Sequence, residues 1–230
     1  MMILGIETST TVCSVGLSGD ENQAIERSMV ESRIHYEKLQ TLIQAVLKEA
    51  GARVGDIDAV AISIGPGSFT GLRVGLSTAK GLCFSIEKRL LAIPSFEAIA
   101  TAAARSYPLY ERFFIALDAK QSDFYTGSFR NYSGLIETET DVAVRPSKSI
   151  GQEMRDDGKT LVLTDTPLMV AEVLKGAFRC EHVLDFCRGE VVASIGMRKY
   201  KQKEFSDLSS TEPLYLKDFV VKTEALQTHA

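Results

Sequence analysis

Ile57-Asp58-Ala59-Val60-Ala61-Ile62-Ser63-Ile64, followed by Gly65-Pro66-Gly67-Ser68-Phe69-Thr70-Gly71-Leu72-Arg73-Val74-Gly75, is the stretch whose reading decides the fold. The first eight residues form an apolar run of the length of a buried strand. Gly65, Pro66, Gly67 and Gly71 then enforce a sharp turn, because glycine tolerates positive φ and close backbone approach. Ser68 or Thr70 stands where a helix N-cap is needed.

A strand, a glycine turn and a helix N-terminus are also the ingredients of a phosphate cradle. The spacing fits neither common version. A P-loop closes on Gly-Lys-Ser/Thr, and the dinucleotide fingerprint is G-x-G-x-x-G, whereas here the third glycine arrives one residue late, at Gly71. A structural tight turn and an interface are the other two readings. On the helix, Leu72, Leu76, Ala79, Cys83 and Ile86 share one side, and Gly71, Gly75 and Thr78 form a small stripe with Leu82 one turn on. A glycine inside a helix costs about 1 kcal/mol relative to alanine, so two on one face imply that something approaches that backbone closely. The approaching element is either another part of this chain or a separate subunit.

The 230 residues, 45% of them hydrophobic, suffice for a substantial core in one or two domains. No run approaches the roughly 18 apolar residues of a membrane span, and the N-terminus carries no basic region or cleavage pattern, so a soluble cytosolic protein without membrane attachment is expected. The net charge of -4 argues against a surface that itself grips nucleic acid. Cys13, Cys83, Cys180 and Cys187 read as reduced core thiols. Cys180, His182 and Cys187 have the wrong spacing for zinc and lack a fourth ligand, so no metal site is expected.

Strands are expected at Ile3 to Glu7, Val12 to Ser18 and Gln23 to Val30, with a turn at Gly19 to Asn22. Tyr36, Leu39, Leu42, Ile43, Val46, Leu47 and Ala50 recur at helical spacing up to a capping Gly51. After the Ile57 strand and the glycine helix come a strand at Leu90 to Ile93 and a helix from Ser95 to about Ala104. The second half repeats this order. It has strands at Phe113 to Asp118, Asp123 to Phe129 and Ile136 to Val144, a helix after Pro146, a strand at Thr160 to Leu163 and a helix from Pro167 to about Gly176. A strand at Cys180 to Leu184 and a helix from Val191 to Lys203 complete it. Two tandem βββαβαβα units give an α/β fold of two ribonuclease-H-like lobes, the architecture of actin, sugar kinases and Hsp70 (ASKHA). The expected domains are residues 1–105 and a smaller lobe, 106–230.

In that architecture the first hairpin of each lobe carries an acid that positions metal or water near nucleotide phosphates. Glu7 and Asp118 hold those places, with Thr8 and Ser9 beside Glu7 and Lys120, Gln121 and Ser122 beside Asp118. Glu7, Thr8, Ser9 and Asp118 are therefore candidates for a vestigial nucleotide cleft, a polar turn being the ordinary alternative. The second lobe lacks the glycine pair on which adenosine would rest, since Thr164-Asp165-Thr166-Pro167 stands there. Cys13 and Cys83 lie in apolar patterns, and His35, His182 and His229 form no paired motif, so no catalytic residue is assigned.

Ile6-Glu7-Thr8-Ser9, His35, the Gly65–Gly75 run, Asp118-Ala119-Lys120 and the closing Pro213-Leu214-Tyr215-Leu216 together resemble the TsaB family, formerly YeaZ. The resemblance spans nearly the whole chain, with Lys120 standing where the family usually has arginine. It implies a noncatalytic accessory subunit of the machinery that makes N6-threonylcarbamoyladenosine at adenosine 37 of tRNAs reading ANN codons. The implied partners are the catalytic paralogue TsaD, which carries a metal-binding histidine pair, and the ATPase TsaE. No intrinsic cofactor is implied, ATP and magnesium at the cleft or at the complex interface being the alternative, and tRNA is met only through the complex. The resemblance also implies a pairing surface of two helices per partner, with Leu39 and Ile43 from the first helix and Gly71, Gly75, Thr78 and Leu82 from the second as the named contacts. A homodimer is expected for the free protein. The alternatives are a magnesium-dependent nucleotide hydrolase using Glu7 and Asp118, or a protease, which lacks a credible nucleophile, base and orienting group.

Overall fold

The computed structural model describes residues 1–19, 24–30, 35–152, 154 and 158–217. The expected turn at Gly19 to Asn22 falls mostly outside them, as do the start of the third strand at Gln23, the His35 side chain, His229 and the tail beyond Lys217. The first lobe runs β1 (Met2–Glu7), β2 (Val12–Gly19), β3 (Ile25–Val30), α1 (His35–Glu49), β4 (Ala59–Ser63), α2 (Phe69–Ile86), β5 (Arg89–Ile93) and α3 (Ser95–Ser106). The second runs β6 (Arg112–Asp118), β7 (Asp123–Tyr132), β8 (Leu135–Pro146), β9 (Thr160–Thr164), α4 (Pro167–Val173), β10 (Arg179–His182) and α5 (Gly189–Gln202).

The five-stranded sheets have the same order, β3-β2-β1-β4-β5 and its counterpart β8-β7-β6-β9-β10. In each, the first three strands are antiparallel neighbours and the last two join in parallel. This is the tandem ribonuclease-H-like architecture expected from the sequence. The expected helix after Pro146 is instead a short 3-10 segment, Ser147–Gln152, and the Cys180 strand ends at His182 in a second one, Val183–Phe186. A third, Val54–Asp56, precedes β4 and carried no periodic signal.

Both sheets bury both faces, which is why their central strands read as near-continuous apolar runs. On β1 and β4, Leu4, Ile6, Val60 and Ile62 meet Leu39, Ile43, Val46 and Leu76 of α1 and α2. Ile3, Ala59 and Ala61 face the other way. On β6 and β9, Phe114, Ala116 and Val162 meet α4, while Phe113, Ile115, Leu117 and Leu163 face inward. Between the two inward faces lie α3 and α5, in one apolar cluster with both sheets. The alanines of α3, Ala98, Ala100, Ala102, Ala103 and Ala104, are all buried and let that helix fit between two layers.

The division after residue 105 falls at the end of α3, but α5 crosses back and packs on β1, β2, β4 and β5 of the first sheet. Glycines make the return fit. A Cβ on Gly5 would collide with the Gly189 carbonyl, one on Gly16 with the Glu190 amide, and one on Gly196 would lie 2.6 Å from the Ala61 methyl. The Gly189 amide donates to Ser14 Oγ at 2.9 Å, fastening the helix start to β2. Real Cβ atoms do not occupy such positions without moving backbone. Gly5→Ala is expected to destabilise the fold by about 1–3 kcal/mol through overpacking, read as a lower urea midpoint; an unchanged midpoint would show that α5 does not sit this closely.

Candidate functional site

The Gly65–Gly75 run folds onto the turn that connects β1 to β2. The Ser68 amide donates to the Ser9 carbonyl at 2.6 Å. Ser68 then caps α2, its hydroxyl accepting from the Gly71 amide at 3.2 Å. Gly65 takes φ 113°, which glycine alone adopts freely, and is held from both sides of its peptide by Ser95, through its hydroxyl at 2.9 Å and its amide at 2.9 Å. A Cβ on Gly67 would strike the Ser9 carbonyl, one on Gly71 the Thr8 carbonyl, and one on Gly75 the Thr8 hydroxyl.

The close approach inferred from the helix glycines is therefore intramolecular. Gly71 and Gly75 are buried against Thr8, and Leu39 and Ile43 are buried in the core beneath α1 and α2. These four residues are corrected from surface contacts to internal packing. Thr78 and Leu82 are half-buried, and Arg73, Ser77, Gly81, Phe84 and Ser85 are exposed on the same helix. Nothing lies within 4 Å of the position a Cβ would take on Gly81, and Phe84 is 79% exposed.

The strand that leads into this turn ends on a buried acid. Glu7 is fully buried, as are Thr8, Ser9 and Ser63. Glu7 Oε1 accepts from the Ser9 amide at 2.6 Å, while Glu7 Oε2 and the hydroxyls of Thr8, Ser9 and Ser63 have no hydrogen-bond partner of good geometry. Burial pushes the Glu7 carboxyl above the ordinary carboxylate value of 4.5; the nearby Ser9 hydroxyl and amide, and the Ser63 hydroxyl, pull it back only in part. Thr8, whose hydroxyl is aimed at Gly75, sits on the opposite face of the strand from Glu7.

The second hairpin is built differently. Asp118 Oδ1 accepts from the Lys120 amide at 2.7 Å and Oδ2 from the Lys120 ammonium at 2.6 Å. The Asp118 amide donates to Asp165 Oδ1 at 3.0 Å, and desolvation raises the Asp165 carboxyl. Val183, Phe186 and Cys187 fill the junction, packed in the cluster that joins the sheets. Burial raises the Cys187 thiol, and the acids Glu7, Asp165 and Asp185 raise it further. Its Sγ donates to the Val183 carbonyl at 3.5 Å, while His182 accepts from the Leu184 amide. Among the described residues no group of three or more histidine, cysteine or acidic side chains could hold a metal ion.

A family model described as TsaD, tRNA N6-adenosine threonylcarbamoyltransferase, matches residues 29–159. The tRNA threonylcarbamoyladenosine biosynthesis protein TsaB of Escherichia coli is 30% identical over 156 residues, 67% of each chain. This chain belongs to the TsaB family. The TsaB of Haemophilus influenzae is 33% identical over 127 residues, 54% of this chain and 52% of that one. The stretches matched to these two relatives span about half to two thirds of the relatives' own length. The crystal structure of YeaZ from Pseudomonas aeruginosa has the same fold, with a TM-score of 0.81 at 24% identity over 94% of this chain and 99% of that one. No helix among the described residues is long and apolar enough to cross a membrane.

Sequence reasoning placed this TsaB-family chain's glycines and acids but missed the segment that covers them. Residues 206–217 return across the first lobe, and the Leu214 amide donates to the Ile64 carbonyl at 2.7 Å, directly beside Gly65. Pro213-Leu214-Tyr215-Leu216 was visible as a motif without a periodic pattern from which its place could be read.

Two outcomes check the sealed turn. Gly75→Ala is expected to cost about 1–3 kcal/mol in chemical denaturation, and adding Thr8→Ala, which removes the struck hydroxyl, is expected to restore part of the loss; additive losses would contradict the contact. For Glu7, the raised folded value means that its contribution to stability is fully present below pH 4.5 and is lost as pH rises through the folded value. Glu7→Gln is therefore expected to raise the melting temperature at pH 8 and to have little effect at pH 4, whereas equal shifts at both would rule out a raised carboxyl.

Proposed function

We propose that this chain is the noncatalytic subunit of the apparatus that installs N6-threonylcarbamoyladenosine in tRNA, docking on the catalytic paralogue TsaD and acting together with the ATPase TsaE. Membership of the TsaB family supports the process. Three observations support the absence of a nucleotide reaction on this chain: Glu7, Thr8 and Ser9 are buried, the glycine run packs on Thr8 and Ser9, and Lys120 occupies both oxygens of Asp118. Magnesium and a nucleotide do not fit the closed turn, and no step is assigned to them here. Contact with tRNA passes through the complex.

One observation carries the docking reading. Gly81 is an exposed glycine in the interior of an 18-residue helix, with open space where its side chain would be. Unlike Gly71 and Gly75, it has no described residue within 4 Å of its Cβ position to explain a cost of about 1 kcal/mol relative to alanine. Val74, Thr78, Leu82 and Ser85 lie along the same outward stripe at helical spacing, flanked by exposed Phe84. Thr41 and Ala45 extend it on the neighbouring α1. A partner helix can approach closely over such a surface, and a second copy of the chain can use it when TsaD is absent. Gly81→Arg is expected to weaken association with TsaD by at least tenfold, about 1.4 kcal/mol, in calorimetric titration while leaving the circular dichroism of the free chain unchanged. Unaltered affinity would refute the assignment of this face.

A further inference from the structure

The segment after α5 forms a strap that touches Ile64, Gly65, Phe69 and Arg73 and then reaches the other lobe. At its start, Ser206 bridges to the edge strand β5, its amide donating to the Leu90 carbonyl at 2.9 Å and its hydroxyl accepting from the Ala92 amide at 3.0 Å. Asp207 closes a turn by accepting from the amides and hydroxyls of Ser209 and Ser210, which holds its carboxyl well below the usual range. The Ser209 carbonyl takes a hydrogen bond from the Lys80 ammonium of α2.

Further along, the strap engages the first turn of α2. The Tyr215 ring lies 5.1 Å from that of Phe69, and its hydroxyl accepts from Arg73 Nε at 2.8 Å. The Arg73 guanidinium also sits 3.9 Å from the Phe69 ring centre, so Phe69, Arg73 and Tyr215 form one interlocked group of ring and cation contacts. Two residues later the Lys217 ammonium donates to the carbonyls of Ala119 and Lys120, at 3.2 and 2.9 Å, and to Asp123 Oδ2 at 2.8 Å. Those oxygens belong to the turn between β6 and β7, where Lys120, Gln121 and Ser122 take φ of 64, 58 and 63° in succession. Three consecutive left-handed residues with side chains are unfavourable in isolation. A cation held by three oxygens of the turn offsets that cost.

We propose that Tyr215 and Lys217 are positioning residues that make α2 and the hairpin turn of the second lobe move as one unit. Lys217 is the cation of the second-lobe seat, and Tyr215 is the clamp on Phe69 and Arg73. Through them the orientation of α2 is tied to the turn that also carries Asp118 and Lys120. The inference stands on contacts within this chain and does not require the docking reading of α2; if a partner does bind there, the strap carries the consequence to the second lobe.

The test is amide hydrogen exchange on the full-length chain. Lys217→Ala is expected to speed exchange at least tenfold in two places, at residues 120–123 of the seat and at residues 68–73 of the α2 first turn, with the β1 and β6 amides unchanged. Lys217→Arg, which keeps a cation, is expected to stay near the parent at both. Ethylammonium added to Lys217→Ala is expected to restore protection to the seat, and Tyr215→Ala is expected to loosen residues 68–73 while Tyr215→Phe, retaining the ring contact, loosens them less. Faster exchange confined to residues 120–123 in Lys217→Ala would overturn the coupling, as would a Lys217→Arg chain that behaves like Lys217→Ala. If Lys217→Ala exposed β1 and β6 as well, the lysine would be a general fold determinant and the positioning role would be refuted.

Discussion

The contact between the glycine-rich run and the Thr8–Ser9 turn is the constraint on which the rest of this structure depends. Backbone meets backbone there through the Ser68 amide on the Ser9 carbonyl and through Gly67 and Gly71 lying against the Ser9 and Thr8 carbonyls, while Gly75 leaves room for the Thr8 hydroxyl. In a phosphate-binding turn the same amides and hydroxyls would face a ligand. Here the chain closes on itself, and the neighbouring strand-ending acid is shut away from water with one oxygen lacking a partner among the described residues. Keeping an ionisable group under those conditions costs stability, which ties the closed turn to the pH behaviour of the whole lobe.

That closure is supported from behind. Because α5 returns to the first sheet over Gly5, Gly16 and Gly196, and α3 is nearly all alanine on its buried sides, both helices fit between two sheets that approach closely. The junction between lobes becomes an apolar core continuous with both, and Val183, Phe186 and Cys187 belong to it. A hinge needs a boundary that few contacts cross; this boundary is crossed by two helices and by the Ser206–Lys217 segment. The outward side of α2 is left as the surface with unexplained features, namely the bare Gly81 and the exposed Phe84.

Much of this was legible in the residues. The order of strands and helices in both halves followed from apolar runs and helical periodicity, because central strands buried on both faces and amphipathic helices leave strong patterns. That a helix carrying Gly71 and Gly75 must be closely approached was also legible; which element approaches was not, since Thr8 is sixty-odd positions away and a glycine records only that space is needed. Leu39 and Ile43 show the same limit, because a helical stripe of leucine and isoleucine reads alike whether it faces a core or a partner. The return of α5 left its mark in Gly5, Gly16 and Gly189, but single glycines in strands have too many explanations to be assigned beforehand. The strap has no period at all, being held by individual groups such as Tyr215 and Lys217.

The Thr8–Ser9 turn is closed by the chain itself, and the proposal that this TsaB-family protein supplies a docking surface in place of a nucleotide site rests on that closure. Isothermal titration of the purified full-length chain with magnesium and ATP tests it most directly. The account predicts no saturable binding heat up to millimolar nucleotide. A micromolar dissociation constant that requires magnesium and is lost in Glu7→Gln would contradict it, by showing that the glycine run lifts from Thr8 and Ser9 to admit phosphate.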